Sequence, residues 1–168
     1  MNYDCGFTKG NRWFRYRAAA VIVEDGCVLF AENDRDNYLY SVGGAVKMGE
    51  TAEEAVQREV FEETGVHYEI DRLVFIHENF FEGEGSLPEL HCHEVAFYFL
   101  MKPRGTKELD SHSTTSGGLQ ERMVWVPIEE LGNYRHFPDF LGEKLKNPKP
   151  GIEHIVTNEM NGKKAQAQ

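Results

Sequence analysis

The stretch from Gly44 to Val66, GAVKMGETAEEAVQREVFEETGV, constrains the fold most, because it carries both ends of a helix and an unusual load between them. Thr51 followed three residues later by Glu54 forms a capping box, in which each side chain accepts a hydrogen bond from the other residue's backbone N–H. Gly65 stands where a left-handed cap disfavours a side chain. These signals predict a helix over 52–64. Ala52, Ala55 and Val56 mark its inward face, and helical steps of three, four and seven from them reach Glu59 and Glu63. Two carboxylates therefore lie along the apolar stripe one turn apart, a like-charge spacing that costs about 0.2–0.5 kcal/mol. Glu62 and Glu63 also occupy the last turn, where the helix dipole disfavours each anion by about 0.3–1 kcal/mol at an exposed site.

An ordinary solvated helix face does not account for this placement, since its charges would avoid the alanine side and its end would favour cations. A divalent cation does account for it. Mg²⁺ takes oxygen ligands and binds through one or two carboxylates, waters and a substrate's phosphate oxygens. Departures from local rules are expected where a chain carries a functional site.

In this stretch the chain resembles the Nudix hydrolases, through the signature known as the Nudix box. The box reads Gly, five residues, Glu, seven residues, then Arg-Glu-aliphatic-any-Glu-Glu-any-Gly-aliphatic. Gly44, Glu50, Arg58, Glu59, Val60, Glu62, Glu63, Gly65 and Val66 fill every specified position. The resemblance implies an α+β fold, a Nudix-type α/β/α sandwich around a mixed β-sheet. It implies hydrolysis, by water attack at phosphorus, of the diphosphate linkage in a nucleoside diphosphate joined to another moiety such as a nucleotide or a sugar. It also implies Mg²⁺ as cofactor, with Mn²⁺ as a substitute. By the same resemblance Glu59 and Glu63 are the prime metal ligands, Glu62 a further ligand or proton acceptor, and the Gly44 carbonyl an additional ligand.

Arg58, four residues before Glu62, is spaced to orient that carboxylate, and Glu50 to brace the loop before the helix. Family members differ in whether a box glutamate or one outside it accepts the proton. Glu121, read as a loop residue before Trp125, is the outside candidate, against the alternative of an ordinary exposed acid. Glu94 is a second candidate, because a glutamate entering an apolar strand needs a polar partner.

Elsewhere the pattern is mostly of strands. Residues up to Asn11 read as a loose arm, and WFRYRAAAVIV and CVLFAEN as a hairpin about Glu24-Asp25-Gly26. Tyr38 to Val42 forms a short strand that delivers the chain to Gly43-Gly44, where close backbone approach is possible. Leu73 to Ile76 and Leu90 to Met101 read as strands, and Lys102 to Gly118 as a long, mobile loop near the site. Trp125-Val126-Pro127 closes another strand, followed by a helical turn over 128–131. A second helix is expected over 137–146 with Pro138 in its first turn, then a strand over 152–156 and a loose polar tail from 158. Tyr16, Arg15 and Arg17 either reach a phosphate or form a plain strand with an exposed cationic side. Phe80, Phe81, Tyr98, Phe99 and Trp125 read as core, with one or two free to stack on a base or sugar. His91 and His93 share one strand face, but no third ligand is spaced for zinc.

The 168 residues and 40% hydrophobic content suit one domain with a substantial core. A net charge of −10 disfavours a nucleic-acid polymer as partner while leaving a small nucleotide open, because bound metal reverses the local sign. No apolar run reaches the roughly 18–20 residues of a membrane span, and the N-terminus lacks a signal-peptide centre. Cytoplasmic residence is the expectation, and a homodimer is compatible with the chain. Cys5, Cys27 and Cys92 are too few and wrongly spaced for a disulfide scaffold or a cysteine zinc site. The alternative to an enzyme is a non-catalytic nucleotide-sensing module on the same fold.

Overall fold

The computed structural model describes residues 3–85, 87–115 and 117–160. The chain opens with an antiparallel pair, β1 (Gly6–Lys9) and β2 (Arg12–Val21). The loose arm expected up to Asn11 is therefore paired over 6–9. The edge of β2 presents backbone groups that need partners, and β1 supplies them.

Next, β3 (Val23–Glu24) and β4 (Cys27–Asn33) make the expected turn about Asp25-Gly26. The long strand before that turn does not join the hairpin, however. After Val21 the chain changes sheets, and β2 instead lies parallel to β8 (His91–Met101) over its whole length. Then β5 (Leu39–Ser41) and β6 (Gly43–Ala45) lead to α1 (Ala52–Thr64), and β7 (Ile70–Glu82) runs antiparallel to β8.

The last third contributes β9 (Glu121–Pro127), a 3-10 turn (Ile128–Asn133), β10 (His136–Phe137), α2 (Leu141–Lys146) and β11 (Glu153–Asn158). The second helix is thus shorter than expected. Phe137 precedes a proline, which pushes it out of the helical region, and it pairs with Tyr40 in β5 instead. Glu121 opens a strand, opposite Asn33, rather than lying in a loop. Asn158 ends β11, so the polar tail starts later than expected, and its residues from 161 lie outside the described ones.

The architecture is α+β with two mixed sheets. One runs β1-β2-β8-β7-β11, with β6 continuing the β1 edge of β2; the other runs β10-β5-β4-β3, with β9 on the far edge of β4. Alternation along β2 divides the core. Ala18 and Ala20 pack with Ala55, Val56 and Val60 of α1, whereas Ala19 and Val21 pack with Val28, Phe30, Val126 and Leu141. Val56 and Val60 are completely buried, which stabilises the docked helix by about 1.5–3 kcal/mol each.

Candidate active site

Both expected caps of α1 are present. Glu54 N–H donates to Thr51 Oγ1 at 3.1 Å, and Thr51 N–H donates to Glu54 Oε2 at 2.8 Å. Gly65 adopts φ 73°, with its N–H on Phe61 O. The loop after β8 seals this end, because Asp110 N–H donates to Thr64 O at 2.9 Å and the Ser111 hydroxyl donates to Glu63 O at 2.5 Å. Carbonyls at a helix end would otherwise lack partners.

So anchored, α1 presents Glu59 and Glu63 to β6. Glu63 is buried, and its Oε2 accepts the Gly43 N–H at 3.1 Å. The Glu59 carboxylate occupies the space beside Gly44, where an added Cβ would stand 2.5 Å from it. Glycine at 44 is what lets a side chain come this close.

Arg58 binds three box acids. Its Nε and Nη2 donate to Glu50 at 2.6 and 3.0 Å, its Nη1 to Glu59 at 2.7 Å and to Glu62 at 3.3 Å, and Nη2 also reaches Ala45 O. Its main partner is thus Glu50, which itself accepts the Lys47 N–H and so ties the loop to the helix. Arg58 holds the Glu50 carboxyl below its ordinary pKa. Glu62, with a side chain 52% exposed, stays on the outer rim and lies outside the cleft lining.

Glu121 arrives from the opposite sheet. It is buried, accepting from the hydroxyls of Tyr40 and, at 2.8 Å, Ser113. Its expected alternative, an exposed loop acid, is therefore excluded. Burial first, and then the charges of Glu121 and Glu59, push the Glu63 carboxyl well above its ordinary pKa. Burial likewise raises Glu59, against the pull of Arg58. Glu59 and Glu63 thus meet at Gly43-Gly44, and Glu121 lies close enough for its charge to act on Glu63. They line a cleft of about 850 Å³ between the sheets, which is lined also by Trp13, Tyr38, Phe81, Tyr98 and Phe137.

A family model for the NUDIX domain matches residues 13–145. The chain belongs to the Nudix family. Among its relatives, a MutT-like protein of Streptomyces ambofaciens is 36% identical over 115 residues, covering 68% of this chain and 64% of that protein. The chain thus spans just under two thirds of that relative. The CTP pyrophosphohydrolase of Escherichia coli (strain K12) is 28% identical over 120 residues, covering 69% of this chain and 78% of that enzyme. A MutT protein from Bacillus halodurans shares the fold, with TM-score 0.63 and 17% identity over 87% of this chain and 92% of that one. Nudix pyrophosphohydrolases act on pyrophosphate bonds, and Nudix hydrolases generally use divalent metals.

The Nudix donor set here is all oxygen and short of positive charge, which fits a hard divalent cation. Among the described residues, no three His, Cys, Asp or Glu side chains already converge on one ion position. Glu59 and Glu121 are instead hydrogen-bonded to Arg58 and to Tyr40 with Ser113.

The remaining expected residues separate. Glu94, the second base candidate, is bound to Arg15 at 2.5 Å. Tyr16 turns to the helix side of β2 and packs edge-on against Phe97. His91 pairs with Glu82 at 2.9 Å and His93 stacks on Phe80, both outside the cleft lining, and among the described residues no third metal-binding side chain joins them. Of the aromatics singled out, Phe81 and Tyr98 line the cleft. Trp13, Tyr38 and Phe137 reach it without having been singled out. Strand alternation places Trp13 beside Arg15 and Arg17, but Phe137 depends on the β5 pairing.

Proposed function

We propose that this Nudix protein is a Mg²⁺-dependent hydrolase of the diphosphate linkage in small nucleoside-diphosphate derivatives, with Mn²⁺ able to substitute. The observation that carries this reading is the meeting of Glu59 and Glu63 at Gly43-Gly44, with Glu121 lining the same cleft, which is large enough for a nucleotide. Glu59 and Glu63, with the Gly44 carbonyl, would hold the metal, which when bound supplies charge neutralisation and lowers the pKa of water.

The residues supply the rest. Water oxygen attacks phosphorus as the bridging P–O bond breaks, the leaving phosphate takes that bond's electrons, and the water proton passes to a carboxylate. Glu121 is the better placed acceptor, because Tyr40 and Ser113 fix it inside the cleft while Glu62 stays on the rim. Arg58 keeps Glu50 and Glu59 in register and contacts Glu62 only at the edge. Action on one small molecule within a single cytoplasmic domain completes the proposal.

The test is product analysis on a panel of nucleoside-diphosphate compounds with Mg²⁺, Mn²⁺ or chelator. Release of a nucleoside monophosphate, its loss on chelation and its collapse in Glu63→Gln and Glu121→Gln are expected. Binding without turnover across the panel would instead identify a sensing module.

A further inference from the structure

We propose that Arg17 grips the substrate directly, its guanidinium donating to a non-bridging oxygen of the diphosphate. The proposal rests on the hydrolase reading above and adds a contact to it.

Arg17 is 8% exposed, in the middle of β2. Its Nη1 donates to Ser41 Oγ at 3.1 Å and its Nη2 to Ser41 O at 2.7 Å, while its Nε is buried with no partner. Two other arginines at the site are neutralised at close range, Arg15 by Glu94 at 2.5 Å and Arg58 by Glu50 at 2.6 Å. No described carboxylate comes within ion-pair distance of Arg17. Register explains why: its neighbours across the sheet are Ala45 on β6 and Ala96 on β8, neither able to pair with it.

A buried guanidinium with an unmet N–H is costly, and natural chains keep such a group where a ligand completes it. The missing partner must be an anion with oxygen acceptors, entering from the cleft that Arg17 lines together with Glu59 and Glu63. A phosphate oxygen meets that description, and the planar fork of arginine suits it better than a point charge does. The location also fits. Ala18 pairs with Gly44, so Arg17 lies one strand step, about 3.3 Å, along β2 from the residue that faces the glycine against which Glu59 rests.

The simpler role for Arg17 is as a distant counter-charge to Glu59, Glu63 and Glu94. That role needs only a positive charge, so lysine would serve. The phosphate role needs the fork, and it should respond to changes in the substrate's own oxygens.

The experiment is steady-state kinetics of wild type, Arg17→Lys and Arg17→Gln on the best substrate of the panel. The same substrate is then used with sulfur replacing each non-bridging oxygen in turn. Arg17→Gln should lower kcat/KM by about 10²-fold or more, the usual effect of losing one donor to a phosphoryl or oxyanion group. Arg17→Lys should recover little of it. For one sulfur position the wild-type penalty should shrink toward unity in both variants, because the contact it probes is already gone. Wild-type activity in Arg17→Lys, or undiminished sulfur penalties in both variants, would overturn the proposal. Should Arg17→Gln fail to fold, the lysine variant decides alone. A wild type that hydrolyses nothing in the panel defeats the hydrolase reading itself, whereas an active enzyme indifferent to Arg17 defeats only this contact.

Discussion

Gly43 and Gly44 are adjacent, yet adding one methyl group to each should have opposite consequences. At Gly43 the new Cβ would stand 2.4 Å from Ala18 O and 2.7 Å from Ala19 Cα, and the residue holds φ 155°. Ordinary contact begins near 3.5 Å, so β6 and β2 would have to part by about 1 Å. Overpacking of this kind costs about 1–3 kcal/mol, and an L residue in such a backbone conformation about 1–3 kcal/mol more. Gly43→Ala should therefore lose about 2–6 kcal/mol. With a urea slope of about 2 kcal/mol per molar, its unfolding midpoint should fall by about 1–3 M.

At Gly44 the clash is with the Glu59 carboxylate, the end of a side chain that can swing away. Gly44→Ala should change stability by under about 1 kcal/mol, since stiffening the unfolded chain partly offsets the displacement. It should nevertheless lower kcat by about 10²-fold, the scale expected when a catalytic group is misplaced by about 1 Å. Urea titration and kinetics on the two variants separate the effects. Equal midpoint losses in both, or full activity in Gly44→Ala, would refute the reasoning.

Further outcomes follow from the charges and caps. Because the folded-state pKa of Glu63 is raised, protonation stabilises the fold below the ordinary glutamate value, and that stability is lost as pH rises through the raised one. Metal-free Glu63→Gln should therefore melt above wild type at neutral pH, with the gap closing on acidification, and should be inactive; melting curves from about pH 5 to about pH 8 check it. Glu94 has the opposite sign. Burial raises its pKa, but Arg15 and Arg17 outweigh burial and lower it, so its stabilisation is present at neutral pH and lost as pH falls through the folded value. Glu94→Gln should cost about 1.5–3 kcal/mol at pH 7 and progressively less in acid, by urea unfolding. Thr51→Ala removes an N-cap and should cost about 1 kcal/mol while leaving kcat unchanged, measured by melting and turnover.

The features legible in the sequence were those carried by neighbours along the chain. Caps, helix period and the spacing of Glu59 and Glu63 act within a few residues, so Thr51, Glu54 and Gly65 announced α1 and its acid-bearing face before any tertiary contact was known. Tyr16, Arg15 and Arg17 read together as one group, and the structure turns Tyr16 to the helix side while Arg15 and Arg17 line the cleft. Two other features depended on partners far along the chain. Glu121 read as a loop residue, either the outside base or an ordinary exposed acid, and the pairing of β9 with β4 is what buries it and brings Tyr40 and Ser113 to it. Phe137 read as helical until its pairing with β5 turned it into the cleft.

Arg17 shows the division most clearly. Its charge and its position in a strand are written in the sequence. Its isolation arises because β6 and β8 place alanines on either side of it. Local free energies determined which segments became helix or strand and where the box acids point. Long-range register, which no run of neighbouring residues encodes, decided which charges meet and left the buried Arg17 with no carboxylate at ion-pair distance among the described residues.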